Sequence, residues 1–93
     1  MRKKAKDNFN IPDAPLNLSE RGMQTERLQL CLDHILKYKG KNKLSCLEPA
    51  YFGPATFEAV KIFQEKAGIK ISGNYDATTR QKLREAIDAD HSI

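Results

Sequence analysis

The stretch YFGPATFEAVKIFQEKAG, residues 51–68, decides the fold because it has every feature of one complete helix. Gly53 occupies the N-cap position, and Pro54 follows at the first helical position, where a missing N–H costs nothing. Gly68 can end the helix, because glycine adopts a left-handed backbone cheaply. One stripe recurs at helical spacing: Thr56, Val60, Phe63 and Ala67. A helix this short is unstable alone, so its stripe must pack against other elements.

Two further segments predict helices that can supply those partners. From residue 23 to about residue 39, with Gly40 as the stop, apolar residues recur at steps of three and four. These residues are Leu28, Cys31, Leu32, Ile35 and Leu36. Asp76 is a good N-cap for a third helix over about 77–88. The chain therefore contains three segments with the pattern of a helix buried on one face.

A weak internal repeat relates the second and third helices. When the chain is shifted by 23 residues, FGPAT at 52–56 falls on YDATT at 75–79. Each unit has a turn, an aromatic residue, a helix start and a threonine in the first helical turn. Phe52 and Tyr75 occupy equivalent positions, which predicts that both rings lie in the core. The sequence thus predicts an all-α fold, a compact three-helix domain with two loop–helix pseudo-repeats.

The chain of 93 residues is long enough for one small domain. Residues 1–17 show no periodicity, contain two prolines and begin with a basic run, which predicts a flexible linker or arm. Residues 18–88 form the predicted domain, and 89–93 a frayed C-terminal tail. No apolar run approaches the length needed to span a bilayer. The basic start lacks the apolar core of a signal peptide, and the composition of the arm favours a piece of a longer chain.

The most basic stretch spans the end of the first predicted helix and the start of residues 41–50, which are predicted to form a loop. Four lysines lie here with no acidic residue between them: Lys37, Lys39, Lys41 and Lys43. Such a cluster is either a solvated loop or a surface that attracts nucleic acid, acidic cell-wall polymers or a lipid surface. Leu44 and Leu47 can tuck into the core beneath the lysines.

The two cysteines, Cys31 and Cys46, allow two interpretations. In an oxidising compartment they could form one disulfide. In a reducing compartment they would be thiols that act as small apolar residues. Cys31 lies on an apolar helical stripe, so its burial is expected in both cases. The spacing alone does not decide whether they pair.

Catalytic and metal chemistry are not indicated. Cys31, His34 and Cys46 are possible metal ligands without a recognisable spacing, so no metal and no other cofactor is predicted. His91 lies in the predicted tail. No nucleophile motif, Gly-rich phosphate loop or carboxylate pair stands out. The chain is therefore interpreted as a protein that is not an enzyme.

The ordered set of motifs resembles the peptidoglycan-binding domain of bacterial cell-wall hydrolases. The resemblance is carried by residues 22–29 (GMQTERLQ), 52–56 (FGPAT), Ala59-Val60, Phe63-Gln64, Gly68-Ile69, Gly73 and 79–83 (TRQKL). That family has three helices and two similar loop–helix repeats, with an Asp-Gly pair in each turn. Here Pro49-Ala50 replaces the first pair and Ser72-Gly73 the second, while Asp76 stands where the family has glycine. Ligand contacts of the family's aspartates therefore cannot be carried over.

Polar and aromatic residues near the two turns and the lysine run suggest a shallow binding groove. Tyr38 and Tyr51 could offer a flat ring face to a sugar or a peptide stem. Gln64 is expected to hold a turn through backbone contacts instead. The predicted ligand-binding residues are Tyr38, Lys41, Tyr51, Asn74, Arg80 and Gln81.

The resemblance implies a non-catalytic module that binds peptidoglycan or its stem peptides and targets an attached hydrolase to the wall. It also implies a bacterial protein located outside the cell or in the cell wall, a monomer that can contact the catalytic domain of its parent protein. The missing Asp-Gly pairs favour an alternative, a protein-interaction or pro-domain that has lost glycan binding. A nucleic-acid binder ranks last, since no recognition-helix or base-stacking pattern accompanies the lysines.

Overall fold

Three long helices and one short helix form the domain in the computed structural model, which describes residues 11–91. They are α1 (Met23–Ile35), α2 (Leu44–Leu47), α3 (Pro54–Ala67) and α4 (Ala77–His91), with a 3-10 turn at Gly40–Asn42. The described residues contain no strand, only isolated β-bridges that join Leu16 to Tyr75 and Arg21 to Tyr51. The predicted all-α fold is confirmed, and α2 is an addition to the three predicted helices.

The apolar stripes of the three long helices meet in one core. Its members are Leu16, Leu28, Cys31, Leu32, Leu44, Phe52, Ala59, Val60, Phe63, Tyr75, Leu83 and Ile87. Phe52 and Tyr75 are fully buried, so the prediction from their equivalent repeat positions is confirmed. Burial also raises the pKa of the Cys31 thiol to about 12. Since the thiolate is the reactive form, this cysteine acts as a structural apolar residue.

The structure shows no disulfide between the two cysteines. Cys31 lies in the core on α1, whereas Cys46 is exposed on α2. In this structure both cysteines are thiols, which corresponds to the reduced alternative considered for the sequence, and whether they pair in an oxidising compartment stays a prediction.

The first helix ends at Ile35, earlier than the predicted stop at Gly40. Lys37 adopts a left-handed backbone with φ of 61°. The N–H of Tyr38 then donates to the carbonyl oxygen of Asp33 at 2.9 Å, and the N–H of Lys37 donates to that of His34 at 3.3 Å, which together are the two hydrogen bonds of a Schellman helix end. The prediction was wrong because it took Gly40 as the stop, whereas the left-handed residue that follows the helix is Lys37.

The segment between α1 and α3 is not the simple loop predicted from the sequence, because it contains the 3-10 turn and α2. Asp33 on α1 accepts hydrogen bonds from the N–H of Leu44 (2.7 Å) and from the N–H and hydroxyl of Ser45 (3.3 and 3.1 Å). This carboxylate joins the start of α2 to α1. Leu44 reaches the core, as predicted, but Leu47 does not and remains 55% exposed.

The segment that precedes α1 runs across both repeat turns. Leu16 is buried and exchanges two backbone hydrogen bonds of 2.9 Å with Tyr75. The N–H of Ser19 donates to the carbonyl oxygen of Phe52 at 2.7 Å. Farther upstream, the carbonyl oxygen of Pro12 accepts the hydroxyl of Tyr75 at 2.8 Å. These bonds tie the segment to the aromatic residue of each repeat.

The folded residues extend beyond both predicted ends of the domain. The predicted arm, 1–17, includes residues 11–16, which lie on the domain; residues 1–10 lie outside the described residues. The predicted frayed tail, 89–93, begins inside a helix, because α4 continues to His91. Residues 92–93 lie outside the described residues. Within the described part of the chain, no helix has both the length and the apolar character that crossing a bilayer requires.

Candidate binding surface

A buried glutamine on α3 holds the second repeat turn. The Nε2 of Gln64 donates to the carbonyl oxygen of Asn74 (3.0 Å) and to the hydroxyl of Thr79 (2.9 Å). Its Oε1 accepts the N–H groups of Ser72 and Gly73, both at 2.9 Å. Gln64 is fully buried. The prediction that it holds a turn through backbone contacts is confirmed.

A second buried glutamine, Gln29 on α1, holds the first turn in the same way. Its Nε2 donates to the carbonyl oxygens of Glu48 (2.6 Å) and Tyr51 (2.9 Å) and to the hydroxyl of Thr56 (3.0 Å). Its Oε1 accepts the N–H of Ala50 at 2.9 Å. Sequence reasoning missed this role, although the alignment of Thr56 with Thr79 in the repeat offered a signal. In both units the anchor reaches the threonine in the first turn of the following helix.

The two turns differ greatly in length. Gln29 and Thr56 are 27 positions apart, whereas Gln64 and Thr79 are 15 apart. The 3-10 turn and α2 lie within the longer connection. The four lysines also lie there, between α1 and α2, and we refer to residues 37–43 as the lysine segment. The first unit is therefore an enlarged version of the second, and its additional chain is strongly basic.

A carboxylate caps the helix after each turn, although both Asp-Gly pairs are missing. Glu48 accepts the N–H groups of Ala55 and Thr56 (both 2.8 Å) and the hydroxyl of Thr56 (2.9 Å). Asp76 accepts the N–H and the hydroxyl of Thr79 at 2.9 and 2.7 Å. These hydrogen bonds satisfy N–H groups that a helix start leaves without partners. Glu48 and Asp76 therefore occupy positions other than those of the aspartates in the family's Asp-Gly pairs.

Replacing Asp76 by alanine is expected to lower the free energy of unfolding by about 1 kcal/mol, because the cap is lost. The hydrogen bonds from Thr79 lower the pKa of Asp76, so the folded state favours the charged carboxylate. That contribution is present above the unfolded pKa of about 3.9 and is lost as pH falls through the lower folded pKa. Urea unfolding of the wild type and of Asp76→Ala at neutral pH and near pH 3 should show a smaller difference in acid.

The matched control for this cap is Glu65→Ala, which removes an exposed carboxylate from α3. It should change the stability little at either pH, because surface substitutions usually stay within about 0.5 kcal/mol. A difference between Asp76→Ala and the wild type that is equal at both pH values would contradict the assignment.

The ligand-binding residues predicted near the two turns lie in separate local environments. Tyr51 is half-buried, and the guanidinium of Arg21 lies 4.4 Å from the centroid of its ring. Asn74 is exposed in the second turn. Arg80 donates through Nε to the carbonyl oxygen of Pro12 at 3.1 Å. These contacts give Tyr51 and Arg80 structural partners within the domain.

The remaining predicted residues are Tyr38, Lys41 and Gln81. The amide of Gln81 donates to Glu85 one turn later on α4, at 3.2 Å. Lys41 is exposed in the 3-10 turn, next to the segment that contains Tyr38. Among the described residues, no hydrogen bond or ring contact joins any two of the six. A single groove that contains all of them stays a prediction.

One concavity does contain a predicted residue together with part of the lysine segment. It has a volume of about 270 Å³ and is lined by Leu30, Asp33, His34, Tyr38 and Lys43. We refer to it as the Tyr38 concavity. Burial raises the pKa of the Tyr38 hydroxyl, and the carboxylates of Asp33 and Glu58 raise it further. The phenol is therefore neutral at physiological pH and can donate a hydrogen bond to a ligand.

Two other concavities lie along α4. One, of about 400 Å³, is lined by Ile35, Phe63, Lys66, Ala67, Lys82, Glu85 and Ala86. The other, of about 370 Å³, contains Gln81 and shares Lys82 and Glu85 with the first. Neither contains a tyrosine or a residue of the lysine segment. In the described part of the chain, no three His, Cys, Asp or Glu side chains are grouped as metal ligands.

The fold is a small helical domain in which buried glutamines hold two turns, and the concavity of about 400 Å³ lies between the three long helices. Residues 22–83 match the model of the family described as "Putative peptidoglycan binding domain". The matched region contains Gln29, Gln64, both turns, all of α1 and α3, and the first seven residues of α4. The chain belongs to this family, which confirms the resemblance in its motifs. No curated protein matches it.

Proposed function

We propose that this chain is a non-catalytic module that binds peptidoglycan through the Tyr38 concavity and holds an attached hydrolase at a bacterial cell wall. Membership of the family supports peptidoglycan as the class of ligand. The observation that supports this site is the combination of an aromatic ring, an apolar side chain and basic groups around one open concavity. On this proposal the protein is a monomer that acts outside the cell or within the wall.

The side chains of the concavity suit the mixed chemistry of peptidoglycan, a glycan with short peptides that carry carboxylates. The ring of Tyr38 can stack on the apolar face of a sugar and donate through its hydroxyl. Leu30, which is 40% exposed, adds apolar contact area. Lys43 can pair with a stem-peptide carboxylate. The carboxylate of Asp33 already accepts three hydrogen bonds from α2, which makes it less available to the ligand.

The size of the concavity argues for modest affinity at a single site. Its volume of about 270 Å³ lies at the lower limit of ordinary ligand pockets. A wall polymer repeats the same unit many times, so an attached enzyme that leaves one unit can rebind to the next. Weak binding of this kind is sufficient to raise the local concentration of a hydrolase on an insoluble substrate.

Replacing Tyr38 by leucine is expected to weaken retention on purified peptidoglycan about twofold to tenfold. The change removes ring stacking, which contributes about 0.5–1.5 kcal/mol beyond area burial, and keeps an apolar side chain against the core. Co-sedimentation of the full chain with increasing amounts of peptidoglycan measures this effect. Tyr51→Leu is the matched control, because that ring lies at the first turn against Arg21 and outside the concavity.

Equal retention of Tyr38→Leu and the wild type would exclude this concavity, provided that urea unfolding shows both proteins to be folded. No retention of the wild type would favour the alternative function, a protein-interaction or pro-domain without glycan affinity. The absence of both Asp-Gly pairs is the observation that supports this alternative.

A further inference from the structure

The lysine segment is a concentration of positive charge without partners in the described structure. Lys37, Lys39 and Lys41 are exposed, and Lys43 is half-buried at the edge of the Tyr38 concavity. None of the four forms an ion pair with a described residue, whereas Lys61 pairs with Glu58 and Lys82 with Glu85. Closely spaced cations repel one another, so this arrangement lowers the stability of the free domain and favours an anionic ligand.

The nearest acidic residues along the chain form no ion pair with these lysines in the described structure. Asp33 and Glu48 are the first acids before and after the segment. The carboxylate of Asp33 accepts hydrogen bonds from the start of α2, and that of Glu48 accepts them from the start of α3. Both acids are thus used for helix capping. Glu58, which lies within electrostatic range of Tyr38, has Lys61 as its ion-pair partner at 3.7 Å.

The backbone of the segment is held at both ends. Its start is fixed by the hydrogen bond from Tyr38 to Asp33, and the residue that follows the segment, Leu44, bonds to the carboxylate of the same aspartate. The 3-10 turn closes with a bond of 3.0 Å from the N–H of Asn42 to the carbonyl oxygen of Lys39. A held backbone limits the entropy lost when the lysines bind a ligand.

We propose that the lysine segment is a second binding site, which takes a linear phosphodiester polymer of the cell-wall type. Lysine acts on phosphate as a point charge without fixed geometry, so a run of lysines selects charge density rather than one chemical group. The segment contains no arginine to form the two-pronged contacts that read a single group. The inference goes beyond peptidoglycan binding, because it concerns a different ligand, and of the four lysines only Lys43 also lines the Tyr38 concavity. The family's association with the wall favours a wall polymer over nucleic acid.

The test measures binding of fluorescent poly(glycerol phosphate) to the full chain at several salt concentrations. We expect the logarithm of the binding constant to fall linearly with the logarithm of salt concentration, because bound lysines release counterions. The double variant Lys39→Gln/Lys41→Gln should bind about tenfold less tightly at low salt. In the plot of the logarithm of the binding constant against the logarithm of salt concentration, the variant should show a slope that is less steep by about 1.4, since each phosphate contact on a flexible strand contributes about 0.7.

The control Lys66→Gln/Lys70→Gln removes the same charge from exposed positions outside the segment, and it should bind almost as the wild type does. Equal losses in the two double variants would overturn the proposal, because net charge alone would then explain binding. Tighter binding of duplex DNA or phosphatidylglycerol vesicles at equal phosphate concentration would also overturn it. The two sites can fail separately: Tyr38→Leu should still bind the polymer, and the single variant Lys39→Gln, at a residue outside the Tyr38 concavity, should still be retained on phosphate-free peptidoglycan.

Discussion

Gln29→Leu is expected to lower the free energy of unfolding by about 4 kcal/mol, a large part of the stability of a domain of this size. Leucine fills a similar volume but forms no hydrogen bond. Three acceptors and one donor in the first turn would lose their amide partner in surroundings that are buried at the hydroxyl of Thr56 and partly buried at the other three groups. They belong to Glu48, Tyr51, Thr56 and Ala50. Each buried polar group left unsatisfied costs about 1–3 kcal/mol, and relaxation of the turn recovers part of the sum.

Urea unfolding followed by circular dichroism measures this loss, and two further glutamines provide the comparison. Gln64→Leu removes the equivalent anchor from the second turn and should cost a similar amount. Gln81→Leu changes an exposed residue whose hydrogen bond runs to a neighbour on the same helix, so its effect should stay within about 0.5 kcal/mol. A loss for Gln29→Leu no larger than that of Gln81→Leu would show that the buried amide is not an anchor.

The helices and most of the core could be predicted because they depend on short-range patterns. The stripe of α3 repeats every three or four residues, and its members Val60 and Phe63 are buried as expected. Leu83, which the repeat places over Val60, is fully buried as well. A period of 3.6 residues is visible within a few turns of sequence, so no knowledge of distant partners is needed.

The capping contacts could not be predicted because they depend on partners that the fold brings together. Glu48 caps α3 from before the turn, and the sequence offers only Gly53 at the local N-cap position. Asp33 caps α2 although 11 positions separate it from Leu44. An acid in the middle of an amphipathic helix resembles any solvated residue until the chain that folds back onto it is known.

The same reasoning explains why the sequence did not indicate which of the predicted ligand-binding residues share one surface. Tyr38 lines the concavity that also contains Lys43, whereas Arg80 and Gln81 bond to neighbours elsewhere. Which side chains share a surface depends on how α1 ends, and a lysine at the left-handed position gave no glycine signal for that end. The position of Tyr38 relative to Lys43 therefore depends on Lys37, a residue that the sequence pattern placed in a continuing helix.

Gly73→Ala is expected to lower the free energy of unfolding by about 3 kcal/mol, for two separable reasons. Gly73 has a φ of 83°, in the left-handed region, where an L-residue costs about 1–2 kcal/mol. In addition, a β-carbon at this position would overlap the ring of Phe57, which packs directly over the turn. Forcing extra atoms into a packed site costs about 1–3 kcal/mol. The second turn therefore requires glycine both for its backbone and for its contact with α3.

Gly40→Ala separates the two reasons, because Gly40 has a φ of 58° but a β-carbon there would meet no atom within 4 Å. It should show the backbone cost alone, about 1–2 kcal/mol. In a Phe57→Ala background the ring is absent, so the cost of Gly73→Ala should fall to the value found for Gly40→Ala. Urea unfolding of the four proteins of this double-mutant cycle measures the coupling. If the cost of Gly73→Ala is the same with and without the Phe57 ring, the second turn is not packed against α3 as described, and the backbone alone accounts for the glycine.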